Sequence, residues 1–181
     1  MLTEFQTRKL LKLFSMYDAD HDGFLVKKDF SDIAKKLANL RNWGLRSPRY
    51  LAIDSQLTQN WKCLEGEADT DGDHRVSIDE WLAFYDSVLS DPQKYEQRVK
   101  KLMDLVFEVF DTDGDGLISK SEWSNLLVVY NVCAVYGERS FDALDTNHDG
   151  YLNQTEMLSL LEDFYYSEDP QNPANSMFGP Y

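Results

Sequence analysis

Cysteine is scarce in this chain. Cys63 and Cys133 are the whole supply among 181 residues, too few for a disulfide framework and suited to free thiols in a reducing compartment. Basic side chains are outnumbered as well: 18 Lys plus Arg face 32 Asp plus Glu, a formal charge of −14. That balance disfavours nucleic acid and anionic membrane surfaces as partners and favours cations. No stretch approaches the roughly 18 uninterrupted apolar residues of a membrane span. The opening MLTEFQTRKLLKLF breaks its apolar residues with charges, unlike a signal peptide. These absences together predict a cytoplasmic chain with no membrane insertion and no nucleic-acid binding.

An acidic chain can fail to fold, but this one is 43% hydrophobic and carries four tryptophans, ten tyrosines and ten phenylalanines. That apolar area can offset the entropy of ordering. Its most informative feature is a repeat. Four twelve-residue segments are related: DADHDGFLVKKD from Asp18, DTDGDHRVSIDE from Asp69, DTDGDGLISKSE from Asp111 and DTNHDGYLNQTE from Asp145. Positions one, three and five of each carry short side-chain oxygens, position eight is aliphatic and position twelve is acidic.

Helical apolar spacing flanks the loops. Leu10, Leu13, Phe14 and Tyr17 precede the first, and Phe30, Ile33, Ala34 and Leu37 follow it. Val99, Leu102, Met103, Val106, Phe107 and Phe110 precede the third. These stripes read as core rather than as a ligand pocket. The intervals between loop starts shrink from 51 to 42 to 34 residues. In the long first interval Ser47-Pro48 reads as a helix cap and first turn, and Asp91-Pro92 marks a hinge between two halves. The expected divisions are 1–90, holding loops 18–29 and 69–80, then 91–166, holding loops 111–122 and 145–156. Residues 167–181, with three prolines, form a non-helical tail.

Calcium takes six to eight oxygens at about 2.3–2.6 Å, and a short loop supplies them only by wrapping the ion. Side chains at positions one, three and five, a carbonyl at seven and a bidentate acid at twelve achieve this, with glycine at six for the sharp bend. The third loop fills every role with Asp111, Asp113, Asp115, Leu117 and Glu122. The fourth supplies Asp145, Asn147, Asp149, Tyr151 and Glu156, one carboxylate fewer. The second offers Asp69, Asp71, Asp73, Arg75 and Glu80, but places His74 where glycine belongs, which predicts weaker binding. The first offers Asp18, Asp20, Asp22, Phe24 and Asp29. Aspartate is one methylene shorter than glutamate, and Val26 at position nine brings no oxygen. Both features favour the smaller six-coordinate shell of magnesium.

These loops are EF-hands, and the chain resembles the sarcoplasmic calcium-binding protein family and its relatives calerythrin and calexcitin. The long interval between the first two loops and the aromatic-rich body carry the resemblance. It implies an all-α fold of four EF-hand helix–loop–helix units in two packed pairs, with short β-pairings between loops. It also implies up to four Ca2+ ions, with Mg2+ possible above all in loop 18–29, in a monomer.

Function follows from the site rather than from the fold. The favoured reading is a Ca2+/Mg2+ buffer, because five methionines are few for the adaptable groove of a sensor. A calcium sensor that exposes an apolar surface to a protein partner is the alternative. A luciferin-binding photoprotein is the remote one, since His21, His74 and His148 all lie inside loops and none is free to line a pocket. No Ser/His or Cys/His constellation lies outside the loops, so no enzyme is expected.

Overall fold

The computed structural model describes residues 1–179, apart from the side chains of 99, 100, 102–105 and 108. Val99, Leu102 and Met103 of the expected stripe, and the last two residues of the tail, therefore lie outside the described set. Eight helices are present among the described residues: α1 (Glu4–Tyr17), α2 (Lys27–Leu40), α3 (Pro48–Ala68), α4 (Ile78–Leu89), α5 (Pro92–Phe110), α6 (Lys120–Val129), α7 (Ala134–Leu144) and α8 (Gln154–Tyr166). Short strands β1 (Phe24–Leu25), β2 (Val76–Ser77), β3 (Leu117–Ser119) and β4 (Tyr151–Asn153) lie in the loops between them. The all-α fold is as expected.

Local chemistry sets the helix starts. The Ser47 hydroxyl accepts from the Tyr50 N–H ahead of Pro48, and the Asp91 carboxylate accepts from the Gln93 and Lys94 N–H groups ahead of Pro92. Position nine of three loops does the same: Ser77, Ser119 and Asn153 cap α4, α6 and α8 through the N–H of the glutamate three residues on. Val26 opens α2 with no side-chain cap.

The loops pair as the resemblance implies. β1 and β2 run antiparallel with Leu25 opposite Val76, and β3 and β4 with Ile118 opposite Leu152. These are the position-eight residues, and all four are 0% exposed. Each pair therefore pins two loops back to back on one buried aliphatic contact.

One apolar core runs through both halves. The rings of Tyr17 and Tyr130 meet edge-on at 5.5 Å, and those of Tyr85 and Tyr165 stack at 5.8 Å, each pair joining one half to the other. Trp81 donates its indole N–H to the Leu10 carbonyl and Trp123 to the Ser140 hydroxyl, so these two buried indoles are partnered. At Gly137 in α7, an added Cβ would stand 2.7 Å from the Ser124 backbone, which fixes how closely α6 and α7 approach.

The ends of the chain meet. Lys9 is 1% exposed and donates at 2.8 Å to the carbonyls of both Phe164 and Ser167, at the C-terminal end of α8. Burial pushes its amine down, against the pull of Asp163 and Glu168. The tail makes one 3-10 turn (Pro173–Ser176), buries Met177 and sets Phe178 edge-on to Phe164 at 4.9 Å.

Candidate metal centres

In each loop the carboxylate at position one accepts from the N–H at position six: Gly23 to Asp18 at 3.1 Å, His74 to Asp69 at 3.0 Å, Gly116 to Asp111 at 2.8 Å and Gly150 to Asp145 at 2.9 Å. Turning that N–H inward demands a left-handed backbone, which glycine adopts freely. His74 adopts it at φ 64° and makes the same bond as the glycines. Position four is left-handed too, through His21 (φ 59°), Gly72 (φ 78°), Gly114 (φ 77°) and His148 (φ 57°). All three histidines thus occupy left-handed loop positions. The sequence reading attached that requirement to position six alone.

Position five holds the next turn. Asp22, Asp73, Asp115 and Asp149 accept from the N–H of Phe24, Arg75, Leu117 and Tyr151 at 2.8–2.9 Å. Carboxylate oxygens consequently converge: those of Asp18, Asp20 and Asp22, of Asp69, Asp71 and Asp73, and of Asp111, Asp113 and Glu122 each lie within 4.8 Å of one another. Like charges at that spacing repel unless a cation lies among them.

The acid at position twelve separates the loops. Glu80 spans its loop, accepting from the N–H and hydroxyl of Thr70 on one oxygen and of Ser77 on the other, at 2.9–3.0 Å. Those donors, the Ser77 N–H first, hold its carboxyl down at about 2. Glu122 does the same between Thr112 and Ser119. Burial pushes the Glu122 carboxyl up, but these donors outweigh it and leave it below the ordinary value. Thr70 and Thr112, at position two, were missed in the sequence because position two offers no ligand. Their signal is the Asp-Thr-Asp that opens both loops.

In the fourth loop the Asn147 amide donates to Glu156 at 2.6 Å and to Asp149 at 3.1 Å, a polarised N–H2 lodged between two carboxylates. In the first loop the corresponding contact is weaker: burial pushes the Asp29 carboxyl up, and the Ala19 N–H pulls it down without making a hydrogen bond of full geometry. Asp29 is 1% exposed and accepts from the Val26 N–H at 2.8 Å on one oxygen. Its other oxygen, Oδ1, and Asp18 Oδ1 are both buried without a hydrogen-bond partner. Two orphaned carboxylate oxygens in one loop are a large desolvation penalty, which a hard cation bound between them would relieve. By that observation the donor set fits a divalent ion.

The second loop sets a cationic side chain on one of its acids. Arg75 Nε donates to Asp73 Oδ2 at 3.1 Å, and the guanidinium lies 4.0 Å from the centre of the Phe24 ring of the paired first loop. A ligand oxygen is therefore shared with a cationic side chain. His74 Nδ1 lies 3.0 Å from Glu65 Oε1, outside the loop proper.

The family model described as EF hand matches residues 102–128 and 138–161. The sarcoplasmic calcium-binding protein beta chain of Penaeus sp. is 29% identical over 173 residues, covering 91% of this chain and 90% of that one. A coelenterazine-binding protein from Renilla muelleri, solved in its calcium-loaded apo form, superposes with a TM-score of 0.77 at 21% identity, covering 99% and 100% of the two chains. The amphioxus sarcoplasmic calcium-binding protein gives 0.75 at 22% identity, with 100% of both covered. At such identities the structural likeness speaks for the fold alone. These relatives are named for binding rather than for catalysis, in line with the expectation of no enzyme. No described helix is long and apolar enough to cross a membrane. Repeat, loop geometry and relatives agree: the chain carries EF-hand calcium-binding loops and is similar to the sarcoplasmic calcium-binding proteins.

Proposed function

We propose that the chain is a Ca2+/Mg2+ buffer of four loops whose ion binding is not reported through an opened groove. The observation that carries this is the aromatic contact between halves, Tyr17 with Tyr130 and Tyr85 with Tyr165, each pair worth about 0.5–1.5 kcal/mol beyond its buried area. Opening either half would break them. Exposed large apolar residues, such as Leu45, Leu51 and Val135, are scattered over different elements rather than gathered on one described helix pair.

The ligands follow the loops. Asp18, Asp20, Asp22 and Asp29 hold one ion with the Phe24 carbonyl, and Asp69, Asp71, Asp73 and Glu80 a second with that of Arg75. Asp111, Asp113, Asp115 and Glu122 hold a third with that of Leu117, and Asp145, Asn147, Asp149 and Glu156 a fourth with that of Tyr151. Residues 1–90 and 91–166 act as the two ion-binding pairs, and 167–181 as the tail that ties them. In the first loop the short Asp29 favours magnesium. A photoprotein role gains no support, because no histidine is among the described residues lining the interior cavity.

Calorimetric titration with calcium, with and without millimolar magnesium, tests this reading. Four sites are expected, one of them lost to magnesium competition, with little gain in binding of an apolar-surface dye on loading. A large calcium-dependent rise in dye binding would replace the buffer with the sensor.

A further inference from the structure

Each loop is entered through the last turn of a helix, and the residue four places before its first aspartate is held alike in all four. That aspartate donates its N–H to the residue's carbonyl, Asp18 to Phe14, Asp69 to Glu65, Asp111 to Phe107 and Asp145 to Phe141, at 2.9–3.2 Å. The four positions are therefore equivalent. Three hold phenylalanine, with Phe14 and Phe141 buried in the core, whereas the second loop alone is entered through a carboxylate. The second loop is also the one with histidine at position six, where the other three have glycine.

These two departures from the repeat meet. His74 Nδ1 lies 3.0 Å from Glu65 Oε1, and Asp69 joins them, ligand atoms of all three lying within 4.8 Å of one another. Glu65 in the last turn of α3 and Asp69 at its cap are four residues apart, hence on one helix face. The His74 N–H, donated to Asp69 Oδ2 at 3.0 Å, holds the loop residue against that face. Zinc keeps nitrogen and oxygen ligands at about 2.0–2.2 Å, which sets neighbours in a tetrahedral shell roughly 3.3–3.5 Å apart. The His74 side chain is 84% exposed, so its ring has room to turn through the remaining distance.

This donor set differs in kind from those of the loops. Calcium and magnesium take oxygen, whereas an imidazole nitrogen beside two carboxylates suits a borderline divalent metal. We propose that Glu65, Asp69 and His74 form a zinc site against the second loop, with His74 Nδ1 and one oxygen from each acid as ligands and water as the fourth. Asp69 then bridges, giving its other oxygen to the ion of the second loop. The site lies beyond the buffer reading: calcium titration tests the one, and zinc titration of calcium-loaded protein tests the other.

The test titrates full-length, calcium-saturated protein with zinc by calorimetry and follows the histidine ring signals by NMR. One zinc per chain is expected, shifting the ring of His74 and leaving those of His21 and His148, in other loops, where they were. Glu65→Gln and His74→Gly should each weaken zinc by about 100-fold, no less than losing an outer partner of a metal ligand costs. Absence of binding up to about 100 μM zinc would overturn the proposal. So would zinc that enters only by displacing calcium, ring shifts at His21 or His148 in place of His74, or a zinc affinity unchanged by either substitution. Should His74→Gly disturb its loop, seen as a lost calcium site, Glu65→Gln lies outside the loop and still decides.

Discussion

The first and third loops share a backbone plan and differ in how they treat their last acid. Glu122 reaches across its loop and takes four donors, from Thr112 and Ser119. Asp29, one methylene shorter, takes the Val26 N–H and leaves one oxygen buried and bare beside a bare oxygen of Asp18. Hydrogen bonds within the chain meet both oxygens of the last acid in the third loop, whereas in the first loop one oxygen of that acid is buried without one. On the proposed reading, the short arm of Asp29 makes the first loop select its ion by size.

Removing the reach of the third loop should have the largest effect. Glu122→Ala is expected to lower its calcium affinity by roughly 100-fold, the span between tight and sensor-grade loops, read as one site lost from the tight class in calorimetry. Giving the first loop that reach is the converse: Asp29→Glu should raise its calcium-to-magnesium preference by about tenfold. An unchanged ratio in magnesium competition would mean that side-chain length does not set ion choice.

His74→Gly comes next. It relieves a left-handed side chain in the second loop, about 1 kcal/mol or roughly fivefold in that loop's affinity, less what the added glycine freedom returns to the unfolded chain. The smallest effect is on pH dependence without ions. Glu80 sits at about 2 in the folded chain against 4.5 ordinarily, so its stabilisation is complete above 4.5 and lost as pH falls towards 2. Burial raises Asp29 above 3.8, so the folded chain takes up its proton more readily and gains stability as pH falls through the raised value. In chelator, Glu80→Gln should flatten the acid loss seen by circular dichroism, and Asp29→Asn should steepen it.

Features that depend on neighbours in sequence were legible in advance. Ser47-Pro48 and Asp91-Pro92 start helices because a cap and a fixed φ act within one turn. The short strand pairs followed from the resemblance to EF-hands, and the structure shows that they rest on the buried aliphatic residue at position eight of every loop. What escaped reading needs distant partners. Lys9 looks like a surface charge on an amphipathic helix, yet its acceptor at Phe164 lies 155 residues away. The cavity is invisible for the same reason: its walls are ordinary core side chains, and the void exists only where elements from both halves converge. The orphaned oxygen of Asp29 lies between these cases, since its short arm can be read directly but its burial cannot.

Lys9 clasps α1 to the end of α8, and Gln6 adds a bond at 3.0 Å to the Tyr165 carbonyl, so the first and last helices share one fastening. Topologically the polypeptide is a line, but mechanically it is a ring. Neither α1 nor α8 can pull away without breaking that fastening. It also predicts that fluorophores placed at the start of α1 and the end of α8 would stay close together through loading and unloading, blind to events that a label inside any one loop would see.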